Sequence, residues 1–324
     1  MKGLRIVEPG ALSSVQDCGR RGCARLGVSP SGVADWFSAR AANRLVGNDE
    51  CAAVIEATLS SMKLAAESGG LIAVTGANGA LQIDGGEAAL WQAHEVSKGA
   101  QITIGAARRG LRSYVAIAGG FAVPPMLGSA STDLGAGFGG FEGRPLRAGD
   151  TLAVTPQPNR ATTDPFPEEC IPHWTSPTVL RAIAGPHAKR IGTNALQQLT
   201  EHSFTVSSRS TRQGIRLEGE PLTLDGATDI PSAGACAGCV QVTSDGLPVV
   251  LLAEHQTTGG YAYALGVITA DLPRAGQLRP GDIVRFEVVT LVDAAHALAL
   301  TMRRLHGERI DAAASLAQGF FEGA

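Results

Sequence analysis

The sequence predicts a mainly β protein with a few helices, built from two related β-rich domains. Short apolar and β-branched runs recur along its 324 residues, and 41 glycines and 17 prolines punctuate them. This pattern is typical of the strands of a barrel or a sandwich. Short motifs of the first half return in the second half. A chain of this length accommodates roughly two domains of about 150 residues.

Six segments are predicted to be strands, and most of them end near glycine or proline. The segments are residues 71–74, 101–104, 114–118, 178–183, 249–252 and 283–289. Three segments have the signals of helices. One runs from Asp35 to Val46 and stops at Gly47, a second is capped by Thr193, and a third is capped by Asp293. The third helix repeats apolar residues at 298, 302 and 305, the spacing of one helix face.

Three pairs of similar segments indicate an internal duplication. Leu146–Thr151 resembles Leu278–Ile283, residues 4–10 resemble 180–186, and Ala-Gly-Gly at 118–120 resembles Thr-Gly-Gly at 258–260. A stretch with six prolines separates the two halves. We therefore predict domains at 1–155 and 178–324, with a proline-rich linker at 156–177.

Composition excludes several classes of protein. The chain has 27 basic and 30 acidic residues, a net charge of −3, and no concentrated basic run. We therefore expect no nucleic-acid partner. No apolar run reaches the length of about 18 residues that spans a bilayer, and residues 1–10 lack the apolar core of a secretion signal. These features predict a cytoplasmic protein without a membrane partner.

The six cysteines are expected to be free thiols, because the sequence has no secretion signal. Cys236 and Cys239 have the C-x-x-C spacing of a redox pair or of half a zinc site. A zinc site needs two further ligands, and no second motif supplies them. We predict no metal site and interpret the pair as buried thiols near a strand.

The densest group of polar residues follows the predicted strand that ends near residue 252. Glu254, Gln256, Thr257, Thr258 and Tyr261 are predicted catalytic residues, and Gly259 and Gly260 let the backbone approach a ligand closely. Such a group suits a pocket for a small polar ligand. A polar turn that caps itself is the alternative.

Three further groups are candidates for substrate binding. Arg212 and Arg216 offer forked hydrogen bonds to a carboxylate or phosphate, although a solvated basic face explains them equally well. Ser129 and Ser131 lie in a hydroxyl-rich loop. Gln16, Asp17 and Arg20 lie in a loop near the N-terminus and either line a site or tie that loop down.

Several motifs resemble the carboxyltransferase-like family. The resemblance covers the allophanate hydrolase subunit 2-like proteins, the C subunit of 5-oxoprolinase, and the carboxyltransferase part of urea carboxylase. The matching motifs run in order from residue 9 to residue 282. They include Val15-Gln16-Asp17 with Gly19-Arg20, Ala42-Asn43 with Leu45-Val46-Gly47-Asn48, Glu56 with Thr58-Leu59, Leu127-Gly128-Ser129, and Gln256-Thr257-Thr258-Gly259-Gly260-Tyr261.

The resemblance implies two cyclophilin-like β-barrel domains. It also implies membership of an ATP-dependent 5-oxoprolinase complex, which contains an inhibitor-like B subunit and a lactam-utilisation-type A subunit and acts on a small amide or lactam. The alternatives are a biotin-dependent carboxyltransferase acting on urea or a related amide, and a non-catalytic antagonist of a kinase inhibitor. The chain has no G-x-x-x-x-G-K-[ST] loop, so we expect a partner to bind most of the ATP. Gly135–Gly140 matches G-x-G-x-x-G, but Pro145 follows it closely and a loop is predicted there instead.

Overall fold

The computed structural model describes residues 3–155, 164–224, 226 and 228–308. Strands dominate this part of the chain, which confirms the prediction of a mainly β protein. The strands of the first half are β1 (Gly3–Glu8), β2 (Leu12–Gln16), β3 (Val54–Thr58), β4 (Met62–Ala66), β5 (Gly70–Asn78), β6 (Leu81–Ile83), β7 (Gly86–Ala88), β8 (Ala93–Val96), β9 (Gln101–Ile104), β10 (Arg109–Ile117) and β11 (Thr151–Ala153).

The second half also consists mainly of strands. Its strands are β12 (Thr178–Ala184), β13 (Phe204–Val206), β14 (Gly214–Glu218), β15 (Asp229–Gly234), β16 (Cys239–Val242), β17 (Pro248–Leu251), β18 (Thr258–Val267) and β19 (Ile283–Val288). The α-helices are α1 (Trp36–Leu45), α2 (Thr193–Glu201), α3 (Leu272–Gly276) and α4 (Leu291–Leu305).

The first half forms two sheets that enclose one apolar core. One sheet has the order β11-β1-β4-β9-β6-β7 and the other has the order β2-β3-β10-β5-β8. Ile6, Ile55, Leu64, Ile72 and Ile102 from these two sheets are fully buried against one another. Because side chains alternate across a strand, each sheet contributes one face to this core. Helix α1 covers the outer face of the second sheet and packs on β5 and β10.

The second half forms a closed ring. Its sheet has the order β12-β19-β13-β14-β17-β16-β18-β15, and β12 also pairs with β18. Seven strands therefore close into a barrel, and β15 extends it beyond β18. Closure removes free strand edges, which would otherwise be open to pairing with other chains. Leu180, Phe204, Val240, Val250 and Val284 fill the interior.

Two of the three repeated pairs correspond in structure. Leu146–Thr151 leads into β11 and Leu278–Ile283 leads into β19. In each turn the arginine amide donates to the aspartate three residues later, at 2.7 Å to Asp150 and 2.8 Å to Asp282. The glycine before each aspartate has a φ of +92° and +90° respectively, which glycine adopts without steric cost. Residues 4–10 and 180–186 likewise cover most of the first strand of each half, β1 and β12, and the two residues that follow it.

The third pair does not correspond, because 118–120 is a turn after β10 whereas 258–260 begins β18. The predicted linker 156–177 falls partly outside the described residues, since 156–163 are not described. Its remainder packs on the first half. Phe166 is buried against Phe37 and Trp91, and the Trp174 ring nitrogen donates to the Gly76 carbonyl at 3.0 Å.

The helix starts differ in detail from the predictions. The predicted helix 35–46 is α1, and Asp35 lies just before it as its cap, with its carboxylate accepting from the Ser38 amide. Helix α2 is capped by Gly192 rather than Thr193, and α4 is capped by Thr290 rather than Asp293. Asp293 lies three residues into α4 and accepts from the Thr290 amide, so the two residues form a capping box. The described part of the chain has no helix long and apolar enough to cross a membrane.

The prediction that all six cysteines are free thiols is wrong. Cys18 and Cys51 form a disulfide. The reason is the pairing of β2 with β3, which sets Gln16 opposite Val54. That register brings the residues just after β2 beside those just before β3. Cys236 is exposed and Cys239 is half-buried, so the interpretation of this pair as buried thiols is also wrong.

Candidate functional site

Arg212 crosses from the second half of the chain to the first. Its side chain is only 4% exposed. The guanidinium forms hydrogen bonds to the Glu56 carboxylate and to the Gly32 carbonyl, and its Nε donates to the Glu254 carboxylate at 2.7 Å. A buried charge is tolerated only where it is paired in this way. The ion pair of Arg212 with Glu56 therefore links the two halves inside the protein.

Glu56, which lies on β3, is the first-half carboxylate that pairs with Arg212. Its carboxylate also accepts hydrogen bonds from the Tyr114 hydroxyl and the Ala34 amide, both at 2.9 Å. Burial pushes the pKa of Glu56 upward, but the charges of Arg212 and Arg112 outweigh that effect and lower it. Glu56 is therefore held as a carboxylate in the interior.

Asp35 and Gln277 continue this interface. The Gln277 side-chain amide donates to the Asp35 carboxylate at 2.8 Å, and its oxygen accepts from the amides of Leu111 and Arg112, each at 2.8 Å. Burial raises the pKa of Asp35 to about 6. One glutamine from the second half thus satisfies both a helix cap and a strand backbone of the first half.

Two loops of the first half, which hold the predicted residues 16–20 and 129–131, come together through hydrogen bonds. The Asp17 carboxylate accepts hydrogen bonds from the Ser129 hydroxyl at 2.6 Å and the Ser131 hydroxyl at 2.5 Å. Arg20 donates to the Met126 and Ser131 carbonyls. Asp17 therefore joins its own loop to the loop of Ser129 and Ser131 by hydrogen bonds.

Three buried side chains in these loops and in the neighbouring segment 29–33 each keep a polar atom without a hydrogen-bond partner among the described residues. They are Gln16 (Oε1), Arg20 (Nη1) and Ser31 (Oγ), which we call the unpartnered group. Gln16 and Arg20 contact adjacent backbone carbonyls, those of Thr132 and Ser131. An unsatisfied buried polar atom costs roughly 1–3 kcal/mol, so each of these atoms calls for an explanation. A bound polar ligand would supply one, and the Arg20 guanidinium also lies over the Phe138 ring, 4.6 Å from its centroid.

Residues 29–33 connect the unpartnered group to the second half. The Pro30 carbonyl accepts from the Arg20 amide at 2.7 Å, and the Ser29 hydroxyl lies 3.4 Å from the Ala253 carbonyl. Burial lowers the pKa of Arg20, while nearby carboxylates, including that of Glu254, oppose the shift. Glu254 therefore lies close enough to affect Arg20 electrostatically.

In the second half, a second polar group lies next to Glu254 along the chain. The Gln256 amide donates to the Gln241 side-chain oxygen at 3.2 Å, and the Gln241 amide nitrogen has no partner among the described residues. A Cβ on Gly259 would lie 2.5 Å from that nitrogen, so a larger residue there would displace the Gln241 side chain. His255 is buried, and this burial lowers the pKa of its ring.

The remaining predicted residues lie nearer the surface. Thr258, Tyr261 and Arg216 are exposed, whereas Thr257 and Gly260 are half-buried. Arg216 is on β14, and Thr258 to Tyr261 begin β18. The structure thus brings Gln16, Asp17, Arg20, Ser129 and Ser131 together and sets Arg212 and Glu254 beside them. Arg216, Thr258 and Tyr261 are not part of that buried group.

A family model for the carboxyltransferase domain, subdomains A and B, matches residues 26–288, which is most of the chain. The chain belongs to the carboxyltransferase domain family. This match spans both halves of the fold and the interface between them. The resemblance seen in the sequence motifs is therefore confirmed.

Relatives in this family have two different names. The 5-oxoprolinase C subunit of Escherichia coli K12 is 34% identical over 296 residues, which cover 91% of this chain and 94% of the relative. The urea amidolyase of Saccharomyces cerevisiae is 31% identical over 303 residues, but the match covers only 16% of that protein. The crystal structure of the K. lactis urea amidolyase superposes with a TM-score of 0.90 and 28% identity, over 98% of this chain and 20% of that one.

A cleft opens beside Gln277, at the interface between the two halves. It has a volume of about 1250 Å³ and includes Gln277 in its wall. Arg108, Arg109 and Arg274 line it, together with Trp174 from the linker. The cleft lies between the two halves and the linker, and carboxylates, including those of Asp271 and Glu287, line it beside the arginines. Sequence reasoning did not identify this cleft.

Sequence reasoning also missed Glu56, Ser31, Gln241 and Gln277 as site or interface residues. One signal for Glu56 is present, because it is the single charged residue of the otherwise apolar strand β3. Buried charges require a partner, so such a residue predicts a buried ion pair. Nothing in the sequence distinguishes Ser31 from the other serines of its loop.

Proposed function

We propose that this chain is the C subunit of an ATP-dependent 5-oxoprolinase, which opens 5-oxoproline to L-glutamate. The match to the 5-oxoprolinase C subunit over 94% of that relative carries the proposal. The match to urea amidolyase covers 16% of a much longer protein, so it concerns only a small part of that enzyme. A full-length match supports a shared role better than a match to one part.

The unpartnered group fits the chemistry of a lactam. A lactam offers an N–H donor and a carbonyl acceptor, and 5-oxoproline adds a carboxylate. Arg20 Nη1 is a donor, Gln16 Oε1 is an acceptor, and the Ser31 hydroxyl serves as either. These three residues would hold the lactam, with Glu254 and Gln256 at the edge of the site as the proposed proton-transfer and orienting groups.

ATP does not fit the glycine-rich segment of this chain. The Gly137 amide donates to the Asp133 carbonyl at 2.8 Å and the Ala136 amide to the Asp133 carboxylate at 2.9 Å. These amides are therefore engaged within the loop, and no helix follows it to bind a phosphate. We propose that a partner protein binds most of the ATP.

The proposed role as a C subunit implies two partners, an inhibitor-like B subunit and a lactam-utilisation-type A subunit. The three proteins would be co-expressed, and glutamate formed from 5-oxoproline and ATP would be measured. We expect glutamate only when all three are present. Formation of glutamate by the two partners without this chain would contradict the proposal.

A biotin-dependent carboxyltransferase is the second candidate. The TM-score of 0.90 with the K. lactis urea amidolyase favours it, because nearly the whole chain superposes on that enzyme. A stable three-chain complex that forms no glutamate, but transfers carboxylate from a carboxylated biotin carrier to urea or a related amide, would replace the first proposal with the second.

A further inference from the structure

Two thiols lie together on the turn that joins β15 to β16. The Sγ atoms of Cys236 and Cys239 are 3.3 Å apart and form no disulfide. Gly238 adopts a φ of +89° within the turn, and the Cys239 amide donates to the Cys236 carbonyl at 3.2 Å. The backbone turn therefore holds the two sulfurs side by side, and Cys236 is open to solvent.

The pair has the chemistry of a reactive dithiol. A hydrogen bond from the Cys236 thiol lowers the pKa of Cys239 to about 6, and the same interaction raises the pKa of Cys236. The two groups titrate as one unit that loses its first proton easily. Thiolates, and not thiols, are the nucleophiles in disulfide exchange, so this unit carries a nucleophile at neutral pH.

The other cysteines provide a contrast within the same chain. Cys23 and Cys170 are buried and are remote from a second free thiol in sequence, and Cys18 and Cys51 are already bonded to each other. Only Cys236 and Cys239 combine two adjacent free sulfurs with access to solvent among the described residues. This difference makes the reaction of the pair separable from the reactions of the other four cysteines.

We propose that Cys236 and Cys239 form a redox-active dithiol site that exchanges with low-molecular-weight disulfides of the glutathione type. The thiolate attacks one sulfur of the small disulfide, which forms a mixed disulfide and expels one small thiolate. The second protein thiol loses its proton and attacks the protein sulfur of the mixed disulfide, which expels the second small thiolate. The protein pair is oxidised by two electrons, and the small disulfide is reduced to two thiols.

The site is joined to the polar segment that begins β18. The Ala235 amide donates to the Thr257 carbonyl at 3.0 Å, and Ala233 pairs with Gly259. The proposal does not depend on the proposed function, because it concerns only the chemistry of the thiols. Its test therefore needs no partner protein and no measurement of glutamate.

The full chain would be equilibrated in glutathione buffers of graded reduced-to-oxidised ratio, quenched with acid, alkylated, and analysed by peptide mass mapping. We expect the 236–239 peptide to lose two hydrogen atoms reversibly as the buffer becomes more oxidising. The Cys18–Cys51 bridge should remain unchanged. The proposal is wrong if both thiols remain alkylated in the most oxidising buffer, or if each thiol binds its own glutathione.

Two variants sharpen the test. Cys236→Ala removes both the resolving thiol and its hydrogen bond, so Cys239 should accumulate as a mixed disulfide with glutathione and should react about tenfold more slowly with iodoacetamide at pH 6.5. Cys170→Ala removes a buried thiol in the same way, and its Cys239 should react as in the wild type. Equal alkylation rates for Cys239 in the wild type and in Cys236→Ala would contradict the proposal, and the wild-type titration tests it even if a variant fails to fold.

Discussion

Asp35 makes the stability of this chain depend on pH through a single buried carboxylate. Its pKa of about 6 lies above its ordinary value of 3.8, because burial disfavours the charge. A raised carboxylate pKa means that the folded chain holds this proton more tightly than the unfolded chain does. The contribution of Asp35 to stability is therefore fully present below about pH 4 and is lost as the pH rises through 6.

The variant Asp35→Asn should remove this dependence. Between pH 4 and pH 7.5, the free energy of unfolding of the wild type should fall relative to that of the variant by about 2 kcal/mol. Urea unfolding at several pH values measures it. Asp84→Asn, on an exposed turn, is the control and should follow the wild type. Parallel curves for the wild type and Asp35→Asn would show that the Asp35 proton is not held more tightly in the folded chain.

At the scale of the secondary-structure elements, the ion pair between β3 and the segment before β14 joins the two halves. Glu56→Gln removes a buried charge and leaves the Arg212 guanidinium without its main partner, although Glu254 remains. We expect a loss of about 3–5 kcal/mol in the free energy of unfolding, because the buried guanidinium groups of Arg212 and Arg112 lose the carboxylate that they share. Urea unfolding monitored by circular dichroism measures it.

An exposed pair on the surface of the first half provides the matched control. Glu8 binds Lys63 at 2.7 Å, with about half of the Glu8 side chain exposed. Glu8→Gln should cost at most about 1 kcal/mol, since solvent screens exposed pairs. If Glu56→Gln costs no more than Glu8→Gln, the interface does not depend on the buried charge.

At the scale of the whole molecule, the proposed site takes residues from both halves. Ser31→Ala in the first half removes an unpartnered hydroxyl, and Gln256→Ala in the second half removes an amide at the edge of the site. Each variant should lower glutamate formation by the three-chain complex at least about tenfold, because each removes a contact to the substrate that is proposed to bind there.

The free energy of unfolding of Ser31→Ala should stay within about 0.5 kcal/mol of the wild type, since the hydroxyl makes no hydrogen bond to the described residues of the folded chain. Ser97→Ala, on an exposed turn after β8, is the control for the assay and should retain full activity. Wild-type activity in both Ser31→Ala and Gln256→Ala would remove these residues from the site.

Local signals were sufficient for much of the fold. Glycine-bounded apolar runs predicted the strands, and Asp35 and Gly47 bounded α1 correctly. The repeat of Leu146–Thr151 at Leu278–Ile283 indicated a duplication, and the structure shows two turns there with the same hydrogen bond. Such features depend on residues a few positions apart, so the order of amino acids determines them directly.

The clusters of polar residues were also visible in the sequence, but their relations to one another were not. Gln16 to Arg20 were grouped correctly, yet the sequence does not reveal that Ser129 and Ser131 bind Asp17 across more than 100 residues. Arg212 was predicted to bind substrate, whereas its guanidinium pairs with Glu56, 156 residues away. No spacing rule links residues so distant in the chain.

The sequence by itself determined that the chain is mainly β, that its halves share a turn, and that it resembles the carboxyltransferase family. The tertiary structure decided which charges are paired, which thiols are bonded or exposed, and where unpartnered polar atoms gather. The physical reason is that strand formation and turns follow from local patterns, whereas burial and ion pairing follow from the packing of distant segments. The Cys18–Cys51 bridge illustrates this, because it follows from the register of β2 on β3 and from no feature of either cysteine's neighbours in sequence.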